Sequence, residues 1–295
     1  MGGKLKSLTP MVSAIRNRNI WLLVLPMLLV LAIFVYPLLE IFRQSLTNFV
    51  LPGDHGLDNY KWFFGNEVQI TILIRTLVVS LLVAVICLIL GFPYAYLMTL
   101  VGTRMRLVLL AVILLPFWTS LIVRLYAWVI LLQPSGPLTK FLTAIGLGDL
   151  HILGTTWGVA IGSIQVLLPF LILPLYASLS SIDRRLMTAA ESLGARPSSA
   201  FIRIYLPLAT PGMLAGGTLV FVFMLGFYFT PAFLGSTRNS LISQQIVVQI
   251  QRVLAFGRAG AMALVLLILA LGILGIVALF TKGLTKSLGI GGESE

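Results

Sequence analysis

Few side chains in this sequence could perform chemistry, and they do not cluster. The two histidines, His55 and His151, lie far apart along the chain, and neither has a second ligand at metal-binding spacing. Cys87 is the single cysteine and lies in an apolar run, which is typical of a small buried hydrophobic residue. No nucleophile stands near a base, and the GxxxxGK phosphate-binding loop is missing. We therefore predict a chain with no catalytic or metal site and no cofactor of its own, and not an enzyme.

Two arginines, Arg75 and Arg124, fall within or beside long apolar runs. A charged side chain at membrane depth costs at least about 2.5 kcal/mol, so each should face a partner, water or the interface. Two interpretations stay open, a cation that lines a transport pathway or an arginine that extends to the membrane surface. No Asp or Glu lies centrally in any apolar run, which disfavours a proton- or sodium-coupled carrier.

Aromatic and hydroxyl side chains surround Arg124 in the sequence, and a second aromatic cluster lies nearer the C-terminus. Aromatic residues near a membrane boundary commonly form belts at the lipid headgroups. They can instead line a semi-polar pocket and bind organic cations through cation–π attraction. The residues that we predict to line a translocation pathway are Trp118, Thr119, Arg124, Tyr126, Phe227, Tyr228 and Phe229.

The composition places the chain among integral membrane proteins. Its mean hydropathy is +1.05, 59% of its residues are hydrophobic and only 10% are charged. The net charge of +11 is spread over short segments rather than gathered on one face, so it indicates membrane topology and not a nucleic-acid partner. We predict an all-α integral membrane protein embedded in a lipid bilayer.

Six apolar runs are long enough for the roughly 20 residues that a spanning helix needs. They cover residues 19–39, 70–100 or 75–100, 107–132, 157–179, 213–234 and 258–280. Residues 44–69, 133–155 and 235–257 then form outer segments. Most Lys and Arg residues lie in the inner segments, which predicts cytosolic N and C termini.

The domain organisation that follows is simple. We expect a basic cytosolic leader over residues 1–19, one six-helix membrane domain over 20–282 and a cytosolic tail over 283–295. The sequence has no linker, low-complexity tract or convincing internal repeat.

Residues 183–212 are the one sizeable polar stretch between the apolar runs of the second half. Asp183 can cap a short helix, Gly194 can end it in a left-handed conformation, and Pro197 can begin the next. That second helix should end where Pro207 and Pro211 interrupt the pattern. The expected product is a compact helix–turn–helix that exposes two adjacent alanines. Alternatively, the stretch is an ordinary inner loop with basic residues.

The spacing of two alanines, a glycine and a later Ile-x-Leu-Pro resembles the "EAA" coupling loop of bacterial ABC importer permeases. Four further stretches, LDNYKWFF, LGFPYAYLM, LPFWTSLIVRLYAW and LLPFLILPLYASLSSID, resemble the permeases of spermidine/putrescine-type importers. This sequence departs from the loop motif at Thr188, where the family has glutamate. The residues to which the resemblance gives a coupling role are Thr188, Ala189, Ala190, Glu191, Gly194, Arg196, Ile204, Leu206 and Pro207.

The resemblance implies a type I ABC importer permease fold in the bacterial inner membrane. It also implies three kinds of partner: a cytosolic ABC ATPase dimer that holds ATP and Mg²⁺, a second homologous permease subunit, and an external substrate-binding protein. The transported solute would be a polyamine or a related amine or amino-acid-like compound, and a sugar-derived conjugate stays open. The alternatives are a gradient-driven secondary transporter or channel without an ATPase, and a membrane scaffold or enzyme.

Overall fold

A computed structural model describes residues 9–48, 50, 55–146, 151–183 and 185–287, with side chains from residue 24 to 283. Lys4 and Lys6 of the predicted leader, Arg184 of the polar stretch and residues 288–295 of the predicted tail lie outside the described residues. Within the described ranges the regular structure is entirely helical. This confirms the prediction of an all-α chain.

Thirteen α-helices follow one another in these ranges. They are α1 (Thr9–Thr47), α2 (Asp58–Gly65), α3 (Glu67–Leu100), α4 (Thr103–Leu114), α5 (Leu121–Leu132), α6 (Pro137–Ala144), α7 (Thr156–Ser180), α8 (Arg185–Ser192), α9 (Pro197–Ala200), α10 (Leu206–Leu225), α11 (Phe229–Leu234), α12 (Ile242–Gln251) and α13 (Phe256–Ser287). Short 3₁₀ turns cover Leu115–Trp118 and Thr237–Asn239, and one π-turn covers Phe201–Tyr205.

Six stretches of the described chain are long and apolar enough to cross a membrane, which confirms the predicted number. They are Val24–Thr47, Glu67–Leu100, Leu121–Ala144, Thr156–Ser180, Pro197–Leu225 and Phe256–Gly283. The first predicted outer segment, residues 44–69, also contains helix α2 and the end of α1.

The third stretch differs from the prediction of one helix over residues 107–132. The chain there is divided into α4 and α5 by the 3₁₀ turn Leu115–Trp118. Pro116 lies in this turn and has no backbone N–H to continue the α-helical hydrogen bonds. The long apolar stretch lies further along the chain, over α5 and α6.

The helix expected to end near Pro207 also continues. Pro197–Leu225 is helical throughout, because the π-turn Phe201–Tyr205 links α9 to α10. Pro207 stands in the first turn of α10, where a missing N–H is tolerated. Only Pro211 lies inside the helix proper.

Helices α3, α7 and α10 pack together and form the core. Gly91 of α3 permits this approach, since an added Cβ would overlap the side chain of Leu171. Helix α1 packs mainly along α13 and is otherwise almost entirely exposed over Val24–Thr47. An apolar helix with so few contacts in its own chain must face lipid or another subunit.

Candidate functional site

The polar stretch between α7 and α9 forms the turn that its sequence predicts. The Asp183 carboxylate Oδ1 accepts the backbone N–H of Arg185 at 2.9 Å, at the start of α8. Gly194 has φ +88° and closes the helix, and Ala195 N donates to Ala190 O at 3.0 Å. Pro197 then stands in the first turn of α9. The predicted helix–turn–helix geometry is therefore present.

Helix α8 projects from the rest of the chain. It contains no buried residue, and Leu193, directly after it, is 89% exposed. Leu186 and Ala189 are also exposed, whereas Met187 packs against the central core. The helix thus turns part of its surface inward and leaves other apolar surface uncovered, which is typical of a surface that contacts another protein.

The other predicted coupling residues divide into two groups. Thr188, Glu191 and Arg196 are exposed on or near α8, and Ala190 is half-buried. Ile204, Leu206 and Pro207 are half-buried in the continuous helix that enters α10. The predicted residues therefore form an exposed knob and a stem that connects this knob to the core.

The predicted pathway residues are brought together only in part. The ring of Tyr126 on α5 lies edge to face with the ring of Phe233 on α11, and the two ring centres are 5.5 Å apart. Tyr228 and Phe229 also meet edge to face at 5.5 Å, and Phe227 packs against the core. Trp118 is 80% exposed in the turn before α5, and Thr119 is exposed beside it.

Arg124 is half-buried on α5, and its Nε is buried without a hydrogen-bond partner among the described residues. One turn later on the same helix, Trp128 Nε1 donates to Gln165 Oε1 of α7 at 2.7 Å. Residues 124 and 128 are therefore on one side of α5. An N–H of the guanidinium, without a partner among the described residues, therefore lies one helical turn from the contact between α5 and α7.

Three polar residues near this junction were missed by the sequence reasoning. Gln165 is the one amide in the apolar α7, which is a signal that could have identified it. Ser163 and Thr230 are fully buried, and their hydroxyls have no hydrogen-bond partner in the described part of the chain. Short hydroxyl residues are common in apolar helices, so no comparable sequence signal identifies these two.

Arg75 faces hydrogen-bond partners in a distant part of the same chain. Its Nη1 donates to the backbone carbonyl of Arg238 at 2.6 Å and lies 3.4 Å from that of Ser240. The neighbouring Thr76 hydroxyl accepts the N–H of Ile242 at 3.0 Å. Together these residues fasten the segment before α12 to α3, so Arg75 is a structural contact.

Two carboxylates of the described chain, Glu40 and Asp58, bond to groups close to them in the sequence. Glu40 binds Arg43, with Oε2 2.8 Å from Nε. Asp58 accepts the backbone N–H of His55 and the ammonium of Lys61, and these two bonds hold the pKa of the Asp58 carboxyl below its ordinary value. The predicted pathway residues themselves offer aromatic rings, the Thr119 hydroxyl and one arginine.

A family model described as "Binding-protein-dependent transport system inner membrane component" matches residues 108–285. The chain belongs to this family. The matched residues include α8, the Gly194 turn, the stem and the α5–α7 junction. This permease is therefore a membrane component of a binding-protein-dependent ABC importer, and the prediction that it is a transport subunit and not an enzyme is confirmed.

Named relatives agree with this assignment. The permease is 36% identical over 195 residues to the spermidine/putrescine transport system permease protein PotB of Escherichia coli (strain K12), over 65% of this chain and 70% of that one. It is 34% identical over 215 residues to PotB of Haemophilus influenzae, over 72% and 75% of the two chains. The predicted resemblance to spermidine/putrescine-type permeases is confirmed.

A solved structure supports the fold. A chain of a bacterial ABC transporter involved in the import of alginate superposes with a TM-score of 0.68 at 20% identity. The match covers 94% of the permease and 99% of that chain. At this identity the likeness shows the fold alone, and it confirms the predicted importer-permease architecture.

Proposed function

We propose that the permease moves a polyamine or a related amine or amino-acid-like compound across the inner membrane by alternating access, driven by ATP hydrolysis in a separate ATPase pair. The observation that carries this proposal is the exposed knob of α8 and Gly194 on a helical stem that runs into the core. A subunit without a nucleotide-binding site needs such a connection if ATP hydrolysis in another protein is to move its membrane helices.

The proposed orientation places α8 and both termini in the cytosol. The membrane domain covers residues 20–282, with the coupling loop over 183–212. The basic residues beside α8, including Arg185 and Arg196, support this orientation through the positive-inside rule.

The ATPase pair is proposed to dock on α8. Ala189 and Glu191 are exposed on this helix, and Leu193 presents an apolar side chain beside them. Small residues let another backbone approach closely, and burial of an exposed leucine favours association by about 1.5–3 kcal/mol. ATP and Mg²⁺ would bind in the ATPase partner.

A second permease subunit and an external binding protein complete the proposed assembly. The exposure of Val24–Thr47 supports a further membrane partner, because α1 packs in its own chain mainly on α13. The name of the family supports delivery of solute by a binding protein.

The substrate class rests on the PotB relatives and on the chemistry of the side chains predicted to line the pathway. Tyr126, Phe227 and Tyr228 can attract an ammonium group through their ring faces. Arg124 can pair with a carboxylate, and it would repel a simple polycation. An amine that also carries a carboxylate matches both groups, whereas spermidine or putrescine matches the rings alone.

The test is purification of the permease from its native membrane in mild detergent, with mass-spectrometric identification of the proteins that accompany it. We expect an ATPase, a second permease and a binding protein. The recovered binding protein is then titrated with spermidine, putrescine and a panel of amino acids by calorimetry. Saturable binding of one compound in the panel supports the proposed class.

Two results would contradict the proposal. Recovery of the permease alone, together with gradient-driven uptake by the isolated chain in liposomes, would favour a secondary transporter or channel. A recovered binding protein that binds only sugars or metal oxyanions would leave the importer function in place and overturn the substrate class.

A further inference from the structure

The C-terminal part of α3 and the π-turn before α10 meet through four aromatic rings, here called the aromatic joint: Phe92, Tyr96, Phe201 and Tyr205. The Tyr96 ring lies 5.4 Å from that of Phe201 and 5.2 Å from that of Tyr205, both at 72°. Phe92 meets Phe201 at 6.2 Å and 78°. These are edge-to-face arrangements, which depend on the relative orientation of the two elements.

The π-turn explains why one side chain of α3 reaches both ends of the turn. A π-turn has more than four residues per turn, so residues four apart lie nearly above one another. The rings of Phe201 and Tyr205 are accordingly stacked, 5.4 Å apart at 16°. Tyr205 is buried in the core, and the Tyr96 ring lies edge to face with both members of the stack.

The joint is also the point at which the knob meets the membrane helices. Helix α8 packs against α9 and the π-turn, and Met187 of α8 belongs to the same core as Tyr205. The π-turn continues directly into α10. A displacement of α8 therefore reaches α7 and α10 along the chain. It reaches α3 only through side-chain packing, on α7 and α10 within the core and on the π-turn at the aromatic joint.

We propose that the aromatic joint transmits the displacement of α8 to α3, so that α3 and α10 move together, and that Tyr96 is the positioning residue. This inference rests on the proposed function, in which an ATPase pair moves α8. Movement of the π-turn without α3 would separate the Tyr96 ring from both Phe201 and Tyr205. π-Turns inside α-helices occur frequently at functional sites.

The experiment measures the movement of each helix separately in the complete transporter with its ATPase. One complex carries nitroxide labels at Leu97→Cys on α3 and Phe280→Cys on α13, and a second carries them at Ile202→Cys in the π-turn and Phe280→Cys. These three side chains are exposed, whereas the native Cys87 is fully buried and stays unlabelled. Pulsed electron paramagnetic resonance measures the distance between the two labels of each complex, first without nucleotide and then after trapping with ATP and vanadate. No transported solute is needed for this comparison.

We expect both distances to change on trapping in the otherwise unsubstituted complex. Tyr96→Leu keeps apolar bulk but removes the ring, and it should leave the change at Ile202 intact while reducing the change at Leu97 at least about two-fold. Tyr96→Phe should restore the full distance change at Leu97, because the phenyl ring can pack against Phe201 and Tyr205 as the tyrosine ring does. Tyr94→Leu is the matched control, since Tyr94 lies two residues away and bonds Leu109 O on α4 at 2.7 Å.

The outcomes separate the two proposals. Equal changes at Leu97 in Tyr96→Leu and the unsubstituted complex would overturn the role of the joint and leave the proposed function standing. Loss of ATPase association in Tyr96→Leu would also overturn it, because the ring would then only hold the loop in place. If nucleotide trapping moves neither label in the unsubstituted complex, the proposed function itself fails.

Discussion

Trp128 and Gln165 join α5 to α7 through a hydrogen bond in which the indole Nε1 donates to the amide Oε1 at 2.7 Å. Arg124 lies one turn before Trp128, with its Nε buried and unpaired among the residues described. A polar contact between α5 and α7 thus lies one helical turn from the Arg124 guanidinium.

Replacement of this indole tests the contact. Trp128→Phe keeps an aromatic ring but removes the donor, so Gln165 Oε1 loses its partner, and we expect a loss of about 1–3 kcal/mol in stability. The measurement is thermal unfolding of the complex in mild detergent. Trp157→Phe is the control, because Trp157 is exposed at the start of α7. Equal losses in the two variants would show that the hydrogen bond contributes nothing specific.

Gly194→Arg should abolish coupling between ATP hydrolysis and transport. The left-handed φ of +88° strains any L residue by about 1–2 kcal/mol, and a long side chain would also obstruct docking on α8. Gly146→Arg is a close control, since Gly146 has φ +87° and open space around it, as Gly194 has, but lies beyond α6. Co-purification of the ATPase is the measurement. We expect loss for Gly194→Arg only, and full ATP-dependent uptake by that variant would refute the prediction.

Thr188→Glu should be tolerated or should improve coupling. Thr188 is exposed on α8, so a carboxylate there remains solvated and creates no buried charge. If the ATPase offers a basic group at this position, ATPase activity of the assembled complex should rise. Thr188→Gln has a side chain as long as glutamate but without its charge, so the difference between the two variants measures the electrostatic contribution to ATPase activity. Clear loss of assembly in Thr188→Glu alone would mean that this permease uses the position differently from its relatives.

Gly257→Ala should destabilise the packing of α13 against the end of α1. A Cβ at residue 257 would overlap the backbone carbonyl oxygen of Asn48, which also accepts Asn59 Nδ2 at 3.0 Å. Because backbone atoms must shift, we expect a cost of about 1–3 kcal/mol. Gly272→Ala lies on the same helix with nothing within 4 Å, and alanine there should gain about 0.5–1 kcal/mol. Unfolding temperatures of the two variants should therefore move in opposite directions, and a common direction would contradict the packing argument.

The sequence determined the features that depend on local chemistry. Six apolar runs of sufficient length predict six membrane stretches, because length and hydropathy need no knowledge of packing. The geometry of the knob was also readable, since Gly194 supplies the left-handed residue and Pro197 suits a first helical turn. The family followed from the spacing of the loop motif, whereas the coupling roles of its residues stay predictions.

Other features were decided only by the tertiary structure. The sequence indicated a helix break near Pro207, but the π-turn and the position of Pro207 in a first turn let the helix continue. The sequence showed Arg75 as a lone charge, while its acceptors lie more than 160 residues away at Arg238 and Ser240. Likewise, Tyr96 and Phe201 are unremarkable aromatics until packing brings their rings together. Hydropathy and turn preference depend on a few neighbouring residues, so they can be read from one segment. The partners of a hydrogen bond or an aromatic ring depend on how helices that are distant in the sequence pack together, and no single segment determines that packing.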